Sequence, residues 1–343
     1  MSADDATPAA PDPLVERARA GDQAAFGELF ERHRREIRVH CYRMLGSFTD
    51  AEDLVQETFL RAWRRLSSFE GRSTFRAWLY KIATNACLDT LKRAPRRCLP
   101  FDVAAPVDAD GMAPTTGASS VAWIEPFPDA LLAADEGKDP AAATVAKETI
   151  ELAFLAAIQH LPPRQRAILV LRDVLGWPAR DVAALLDTTV TAVKSALQRA
   201  RPVLRDKLGQ HRHGWVPEAQ PDPAERAALA RYMDAHARDD IDALAELLLE
   251  DVRVAYPQIG IWCDSRDVFI NGSRKFAPPG EYRFVACGAN LQPAVAIYLR
   301  APDDHAFRVV ALEVLRIHNG RVAEIVDYYL PELFGAFGLP DTL

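Results

Sequence analysis

The chain has 343 residues, enough for two or three domains with separate cores. It carries 41 Lys and Arg against 48 Asp and Glu, and the resulting net charge of −7 argues against a general nucleic-acid coat protein. With no run of about 18 apolar residues and no CxxC pair among five cysteines, the chain is expected to be cytoplasmic, without membrane association, metal or cofactor.

The N-terminal part of the chain is predicted to be helical after a short disordered segment. Residues 1–13 are acidic and rich in proline, and we predict that they are disordered. Residues 14–94 show helical periodicity and no strong strand signal. Their apolar positions and capping residues predict three helices, over about 21–46, 49–66 and 74–93, that pack as a compact all-α bundle.

Residues 95–140 interrupt this periodicity. They are rich in Pro, Ala, Gly, Ser and Asp, which predicts a flexible linker. One apolar island within it, Val121–Pro128, is expected to dock on a neighbouring domain. Helical periodicity returns over residues 141–209 and predicts a second all-α domain.

The end of this second domain reads as a helix-turn-helix. A short helix is followed by a turn at Asp187–Thr189, and either Thr189 or Thr191 can cap the next helix. Residues 144–210 carry a net charge of +4 within an acidic chain, so the positive charge lies where a DNA-binding helix needs it. Taken alone, the stretch also fits a solvated helical hairpin. The side chains predicted to face inward from the second helix are Val190, Val193, Leu197, Ala200 and Leu204.

A further linker is predicted over 210–223, before a third domain at 224–343. Two helices, over 224–238 and 240–249, precede five strand-like runs. Asn319-Gly320 predicts a type I′ hairpin between the last two strands. The pattern predicts an α+β domain in which helices cover a curved antiparallel sheet.

Two segments carry a family resemblance. DAEDLVQETFLRAWRRLSSFEGRSTFRAWLYKIATNACLDTLKR resembles region 2 of the sigma-70 family, in its extracytoplasmic-function group, and LPPRQRAILVLRDVLGW with the helix-turn-helix resembles region 4. The resemblance implies a sigma factor that binds core RNA polymerase and promoter DNA and is not an enzyme. Region 2 (14–94) would read and melt the −10 element, and region 4 (141–209) would read the −35 element.

The resemblance also implies roles for individual residues. The polymerase-binding surface falls on Asp50, Glu52, Asp53, Gln56 and Glu57, although capping acids alone would also explain part of this set. Melting needs stacking planes and cations, so the −10 candidates are Arg72, Phe75, Arg76, Trp78, Lys81 and Asn85, of which Phe75 and Trp78 also fit a core role. The −35 readers fall on Lys194, Ser195, Gln198 and Arg199, with Thr191 and Arg201 as phosphate contacts.

The third domain resembles the SnoaL-like (ketosteroid-isomerase-like) cone fold, and WIEPFPD in the linker is similar to an island of the SigG-like subgroup, which carries such an extension. Ala255-Tyr256-Pro257 stands where catalytic relatives carry a carboxylate base, which favours regulation over catalysis. An anti-sigma factor or a small ligand are further candidate partners here. The alternatives are an isomerase-like enzyme with a DNA-binding appendage and a repressor-like DNA-binding protein. Candidate cavity residues are Tyr256, Trp262, Glu313 and Asp327.

Overall fold

A computed structural model of the chain describes residues 12–71, 73–112, 121–132, 150–211 and 223–343. The described residues divide into two compact units. Those of Met1–Leu45, Thr49–Ala94 and Pro163–Arg199 form the first unit, and those of Gly46–Phe48, Pro95–Pro162 and Ala200–Leu343 form the second. The expected region 4, residues 141–209, therefore contributes to both units.

Four helices build the first part of the chain. They are α1 (Pro13–Arg19), α2 (Gln23–Leu45), α3 (Phe48–Arg65) and α4 (Phe75–Leu91). The three predicted helices are confirmed, and the short α1 is added. Thr74 starts α4, since its side chain accepts a hydrogen bond from the Ala77 amide at 3.2 Å.

The helices of the second predicted domain are shorter. They are α5 (Leu152–Gln159), α6 (Pro163–Leu169), which continues as a π-helical turn (Val170–Val174), α7 (Ala179–Leu185) and α8 (Val190–His211). Thr189 caps α8, with its Oγ1 accepting from the Ala192 amide at 3.1 Å. Val193, Leu197 and Ala200 are buried as predicted, whereas Val190 is 39% exposed because it stands in the first turn, beside the solvent-facing cap. None of the described helices is both long and apolar enough to cross a membrane.

The C-terminal part is an α+β domain with one six-stranded sheet. The elements are α9 (Pro223–Ala237), α10 (Ile241–Leu247), β1 (Leu248–Tyr256), β2 (Ile261–Cys263), α11 (Arg266–Phe276), β3 (Glu281–Ala289), β4 (Gln292–Arg300), β5 (Arg308–His318), β6 (Arg321–Tyr328) and α12 (Pro331–Phe334). The order across the sheet is β2-β1-β6-β5-β4-β3. Helices α9, α10 and α11 bury one face of the sheet, where Tyr232 and Phe269 pack with Leu315.

The five predicted strands are confirmed, as is the hairpin turn, where Asn319 (φ 50°) and Gly320 (φ 73°) both take the left-handed backbone of a type I′ turn. The sheet is mixed rather than wholly antiparallel, because β1 and β6 pair in parallel. The sequence analysis did not anticipate β2 or α11. Strand β2 has only three residues, too few for a period of two to show.

Two stretches of the predicted linker are not flexible but pack against other parts of the protein. Cys98 and Trp123 form a bridge between them, and the Phe127 amide donates to Asn290 Oδ1 at 2.8 Å. Leu99, Ile124 and Phe127 are fully buried, and this apolar burial outweighs the Pro-rich and Gly-rich composition around them. The expected docking of the Val121–Pro128 island is confirmed. The island contacts the C-terminal domain at Asn290, and it also contacts Gly46 and Phe48.

Candidate nucleic-acid interface

Helix α8 presents a polar face formed by the residues expected to read the −35 element. Residues three and four apart share one side of a helix, which places Lys194 beside Gln198 and Ser195 beside Arg199. Lys194, Gln198 and Arg199 are exposed and Ser195 is half-buried. Thr191 and Arg201 are also exposed. The structure thus brings all six candidates to the outer side of one helix.

The turn before α8 is held by backbone hydrogen bonds. Asp187 has a φ of 48°, in the left-handed region that Asp tolerates better than most residues, and the Thr188 amide donates to the Ala183 carbonyl at 2.9 Å. Arg164 Nη2 donates to the Leu186 carbonyl at 2.7 Å. The direction in which α8 leaves α7 is therefore set by α6 as well as by the turn.

The aromatic side chains at the start of α4 form a cluster. The Phe75 ring lies 6.0 Å from the Phe69 ring and 5.7 Å from the Trp78 ring, and Phe69 and Trp78 are 5.1 Å apart. Phe75 is buried, so it supports the cluster, whereas Trp78 is half-buried and has an accessible side. Asn85 is exposed further along the same helix, and Arg72 lies outside the described residues.

Arg76 is bound within the first unit. Its Nε donates to Glu36 Oε2 at 2.6 Å, and its guanidinium lies over the rings of Tyr80 (5.1 Å) and Trp177 (5.7 Å). Burial would raise the pKa of Glu36, but the hydrogen bond from His33 and the charge of Arg76 outweigh it, and that pKa is lowered. Arg76 is thus half of an ion pair rather than an unengaged cation.

The helix-turn-helix lies directly against α4 in this structure. Lys81 Nζ is 2.8 Å from Asp187 Oδ1, and the Tyr80 and Trp177 rings are 5.1 Å apart. The sequence analysis did not single out Trp177. Its only signal is an aromatic residue between Gly176 and Pro178, in a loop where nothing local calls for a large side chain.

The expected polymerase-binding face of α3 is only partly exposed. Asp53 and Gln56 face solvent and Asp50 is half-buried in the first turn, while Glu57 Oε1 pairs with Arg61 Nε at 2.6 Å. Glu52 instead binds Arg38 with both oxygens and lies 3.6 Å from Arg34. This internal ion-pair network removes Glu52 from the exposed set, because its oxygens already face two guanidinium groups.

Leu60 belongs to the same face and was missed. It lies one turn beyond Gln56 and is 44% exposed, beside the acidic residues of this face. It falls outside the apolar stripe of α3, and that mismatch is the signal by which the sequence could have indicated it.

Two carboxyl groups face each other inside the C-terminal domain. Glu313 of β5 is directly opposite Asp327 of β6, and both are buried. Tyr232 Oη donates to Glu313 Oε2 at 2.9 Å, and Tyr329 Oη donates to Asp327 Oδ2 at 3.0 Å. Burial raises the pKa of Asp327 to about 7, and burial with repulsion from Asp327 raises the pKa of Glu313 to about 8. Tyr256 is buried on the same side of the sheet.

Trp262, expected in the same cavity, lies on the other face of the sheet. It pairs with Ala255, and successive residues of a strand point to opposite faces, so Trp262 points away from the side that Tyr256 occupies. It lines a separate cavity with Arg253 and Arg316.

Residues 29–97 match the family model of sigma-70 region 2, and residues 151–202 match that of sigma-70 region 4. The chain is 41% identical over 335 residues to the ECF RNA polymerase sigma factor SigG of Mycobacterium tuberculosis, an alignment that covers 95% of this chain and 86% of that protein.

Two further relatives differ in how much of the chain they share. The ECF RNA polymerase sigma factor SigW of Bacillus subtilis is 30% identical over 195 residues, which cover 57% of this chain and 94% of that protein. The crystal structure of the M. tuberculosis extracytoplasmic function sigma factor SigJ superposes with a TM-score of 0.56 at 24% identity, covering 92% of this chain and 99% of that one. The latter likeness is one of fold and includes the C-terminal domain.

Proposed function

The chain belongs to the extracytoplasmic-function group of RNA polymerase sigma factors, and from that premise we propose how its parts divide the work of transcription initiation. It binds core RNA polymerase and promoter DNA and directs initiation at specific promoters. The observation that carries this function is the presence of both sigma regions, in order, in a chain 41% identical to a sigma factor over 95% of its length.

Helix α8 reads the −35 element in the major groove. Exposed Lys194 or Arg199 bonds the O6 and N7 acceptors of guanine, and Gln198 pairs with adenine. Thr191 and Arg201 contact phosphates and set the register of the helix. Ala196 is buried in this chain and leaves base reading to its neighbours.

Helix α4 reads and holds the melted −10 element. The accessible side of Trp78 offers a stacking surface for an unpaired base, and Arg76, Lys81 and Asn85 supply polar groups along the same helix. Phe75 acts indirectly, since it is buried and fixes the position of Trp78.

The polymerase-binding surface is Asp53, Gln56, Glu57 and Leu60. Its acids complement a basic partner, and Leu60 supplies an apolar centre of the kind that charged rims surround at protein interfaces. Glu52 supports this surface from behind through Arg34 and Arg38.

The two DNA-reading helices must move apart before both elements are bound. Elements about 25 base pairs apart are separated by about 85 Å of B-form DNA. Asp187 touches Lys81 and precedes Lys194 by seven residues, a stretch that spans at most about 25 Å. The packed arrangement is therefore a closed state. In it Trp177 and Asp187 contact Arg76 and Lys81, side chains of α4 that would otherwise be available to the −10 strand.

The sigma regions perform no covalent chemistry, and the C-terminal domain regulates them. Both buried carboxyl groups already accept a hydrogen bond from a tyrosine, which suits a structural pair better than a catalytic base. The domain also holds the linker between the two sigma regions, through Asn290 and Trp262. Control of the linker is a direct route by which this domain acts on promoter binding.

Co-purification with core RNA polymerase, followed by run-off transcription from promoters enriched by the reconstituted holoenzyme, tests this function. We expect a stable complex and a transcript whose start depends on both elements. A chain that binds promoter DNA but does not bind core polymerase would instead be a repressor-like protein, and the proposal would fail.

A further inference from the structure

A cavity lies in the C-terminal domain, on the face of the sheet opposite the buried carboxyl pair. Its volume is about 250 Å³, and charged and aromatic side chains line it, among them Asp251, Arg253, Trp262, Asp264 and Arg316. None of these side chains contacts DNA in the proposed function, although Trp262 also holds the linker. The cavity therefore needs an explanation of its own.

Two guanidinium groups lie beside one buried carboxylate at this cavity. Glu324 is buried, its Oε2 accepts a hydrogen bond from Arg253 Nη2, and the same oxygen lies 3.9 Å from Arg316 Nη2. Two guanidinium groups thus share one carboxylate. In addition, Arg316 Nε is buried and has no hydrogen-bond partner among the described residues. A buried donor of this kind is costly unless an acceptor reaches it.

The mouth of the cavity carries the opposite charge. Asp251 and Asp264 are exposed at its rim, and half-buried Trp262 supplies a flat apolar wall. An anion that enters the cavity can accept a hydrogen bond from Arg316 Nε, and the two rim carboxylates repel a dianion such as phosphate more strongly than a monoanion. Guanidinium groups bind carboxylates in a planar, two-bond geometry, which favours a carboxylate over a rounder monoanion.

We propose that this cavity binds a small organic monocarboxylate with a flat apolar part. The carboxylate accepts from Arg316 Nε, and the apolar part lies against Trp262. The proposal concerns a binding site only and stands whether or not the chain acts as a sigma factor.

The residues of this site also hold the linker. The Arg253 guanidinium lies 4.8 Å from the Phe101 ring centre, and Trp262 Nε1 donates to the Ala104 carbonyl at 2.9 Å. The Val107 amide donates to the Trp262 carbonyl at 2.8 Å. A ligand that contacts Arg253 and Trp262 therefore changes how firmly residues 101–107 are held, which makes the site an effector site.

Benzoate titrated into the full-length chain tests the site, with benzamide and inorganic phosphate as the comparison ligands and calorimetry or NMR as the readout. We expect saturable benzoate binding, and at least about tenfold weaker binding of the neutral amide and of phosphate. Arg316→Gln should weaken benzoate binding at least about tenfold. Hydrogen exchange of the Val107 amide should change when benzoate saturates the chain.

A second variant keeps the test independent of folding. Asp264→Asn replaces an exposed rim residue, so it leaves the core intact, and we expect tighter benzoate binding and measurable phosphate binding. Absence of saturable benzoate binding, or equal affinity for benzamide, would overturn the proposed site. Unchanged exchange at Val107 under saturation would overturn its coupling to the linker.

Discussion

At the scale of single residues, substitutions of Lys194 and Arg199 can show whether α8 contacts bases or only phosphates. Both are exposed on the outer face of α8. We expect Lys194→Ala or Arg199→Ala to reduce discrimination at one position of the −35 element by about 1–3 kcal/mol, because a two-bond contact to guanine is lost. Competition binding of the holoenzyme to promoters with single substitutions measures this.

Arg201→Ala is the matched control for this experiment. Arg201 lies on the same helix and is expected to contact phosphate, so its loss should weaken binding to all sequences equally. A uniform loss for Arg199→Ala as well would show that α8 does not read bases through that residue.

The paired carboxyl groups make the C-terminal domain sensitive to pH. The pKa values of Glu313 and Asp327 in the folded domain, about 8 and about 7, lie above those of an unfolded chain, about 4. The folded state therefore binds protons more tightly, and the stability that these groups contribute is fully present below about pH 4 and is lost as pH rises to about 8.

Glu313→Gln removes one of the two ionisations while it keeps an acceptor for Tyr232 Oη. We expect the wild-type melting temperature to fall between pH 5 and pH 8.5 and that of the variant to fall less, with a difference of roughly 5 °C at pH 8.5. Calorimetric melting curves across this range give the comparison. Parallel curves for the two proteins would mean that Glu313 does not ionise in this range.

At the scale of elements, the contact between α4 and the helix-turn-helix rests on a few side chains. Lys81 pairs with Asp187 at 2.8 Å, and Trp177 lies against Tyr80 and Arg76. Asp187→Asn removes the ion pair, and Trp177→Ala removes the ring contact. We expect either variant of the free protein to bind single-stranded −10 DNA several-fold more tightly than the wild type, because less free energy is needed to open the closed state.

Loss of a negative charge near DNA would also raise the affinity for DNA. The comparison therefore needs a control variant that loses a negative charge elsewhere. Asp181→Asn is that control, since Asp181 is exposed on α7 and pairs only with its neighbour Arg180 among the described residues. If Asp181→Asn raised DNA affinity as much as Asp187→Asn, the effect would be one of net charge and not of opening.

Elements were also the scale at which the sequence was most informative. Helix α4 follows from Thr74 as a cap and an apolar period, and the β5–β6 hairpin follows from Asn319-Gly320, because both signals are local. The parallel pairing of β1 with β6 and the position of Trp262 depend on contacts between distant residues. A three-residue strand such as β2 carries too little pattern to predict which face Trp262 occupies.

Among the candidate site residues, the exposed face of α8 could be derived because it is the complement of a clear apolar stripe. The partners of Glu52 and Arg76 could not, since Arg38 and Glu36 are brought to them by helix packing. Composition also misled over residues 95–140, where a few buried apolar side chains decide the structure of the described stretches.

At the scale of the whole molecule, the linker between the two sigma regions packs on the C-terminal domain. Asn290 holds it at Phe127, whose amide donates to Asn290 Oδ1 at 2.8 Å and whose carbonyl accepts from the Asn290 amide at 2.9 Å. Asn290 Nδ2 also donates to the carbonyl of Ile150, beyond the linker, at 2.7 Å. We expect Asn290→Ala to speed hydrogen exchange at Phe127 at least about tenfold and to change the level of run-off transcription. Exchange measured by NMR or mass spectrometry reports the first effect.

Asn271→Ala is the control for this variant, because Asn271 is an exposed asparagine on α11 of the same domain. It should leave both readouts as they are in the wild type. Faster exchange at Phe127 with unchanged transcription in Asn290→Ala would mean that the C-terminal domain holds the linker without regulating through it.

The most direct measurement uses a chemical cross-link that joins α4 to the helix-turn-helix at their contact. Lys81→Cys and Asp187→Cys together place two thiols where the side chains now meet, and a short bismaleimide can join them. Single-cysteine variants treated with the same reagent, and the double variant treated with N-ethylmaleimide, serve as controls. We expect the bridged protein to give no run-off transcript with core polymerase. Each control should still give a transcript, at a reduced level in the controls that lack Lys81. Full transcription by the bridged protein would contradict the view that α4 and α8 must separate to read the −10 and −35 elements together.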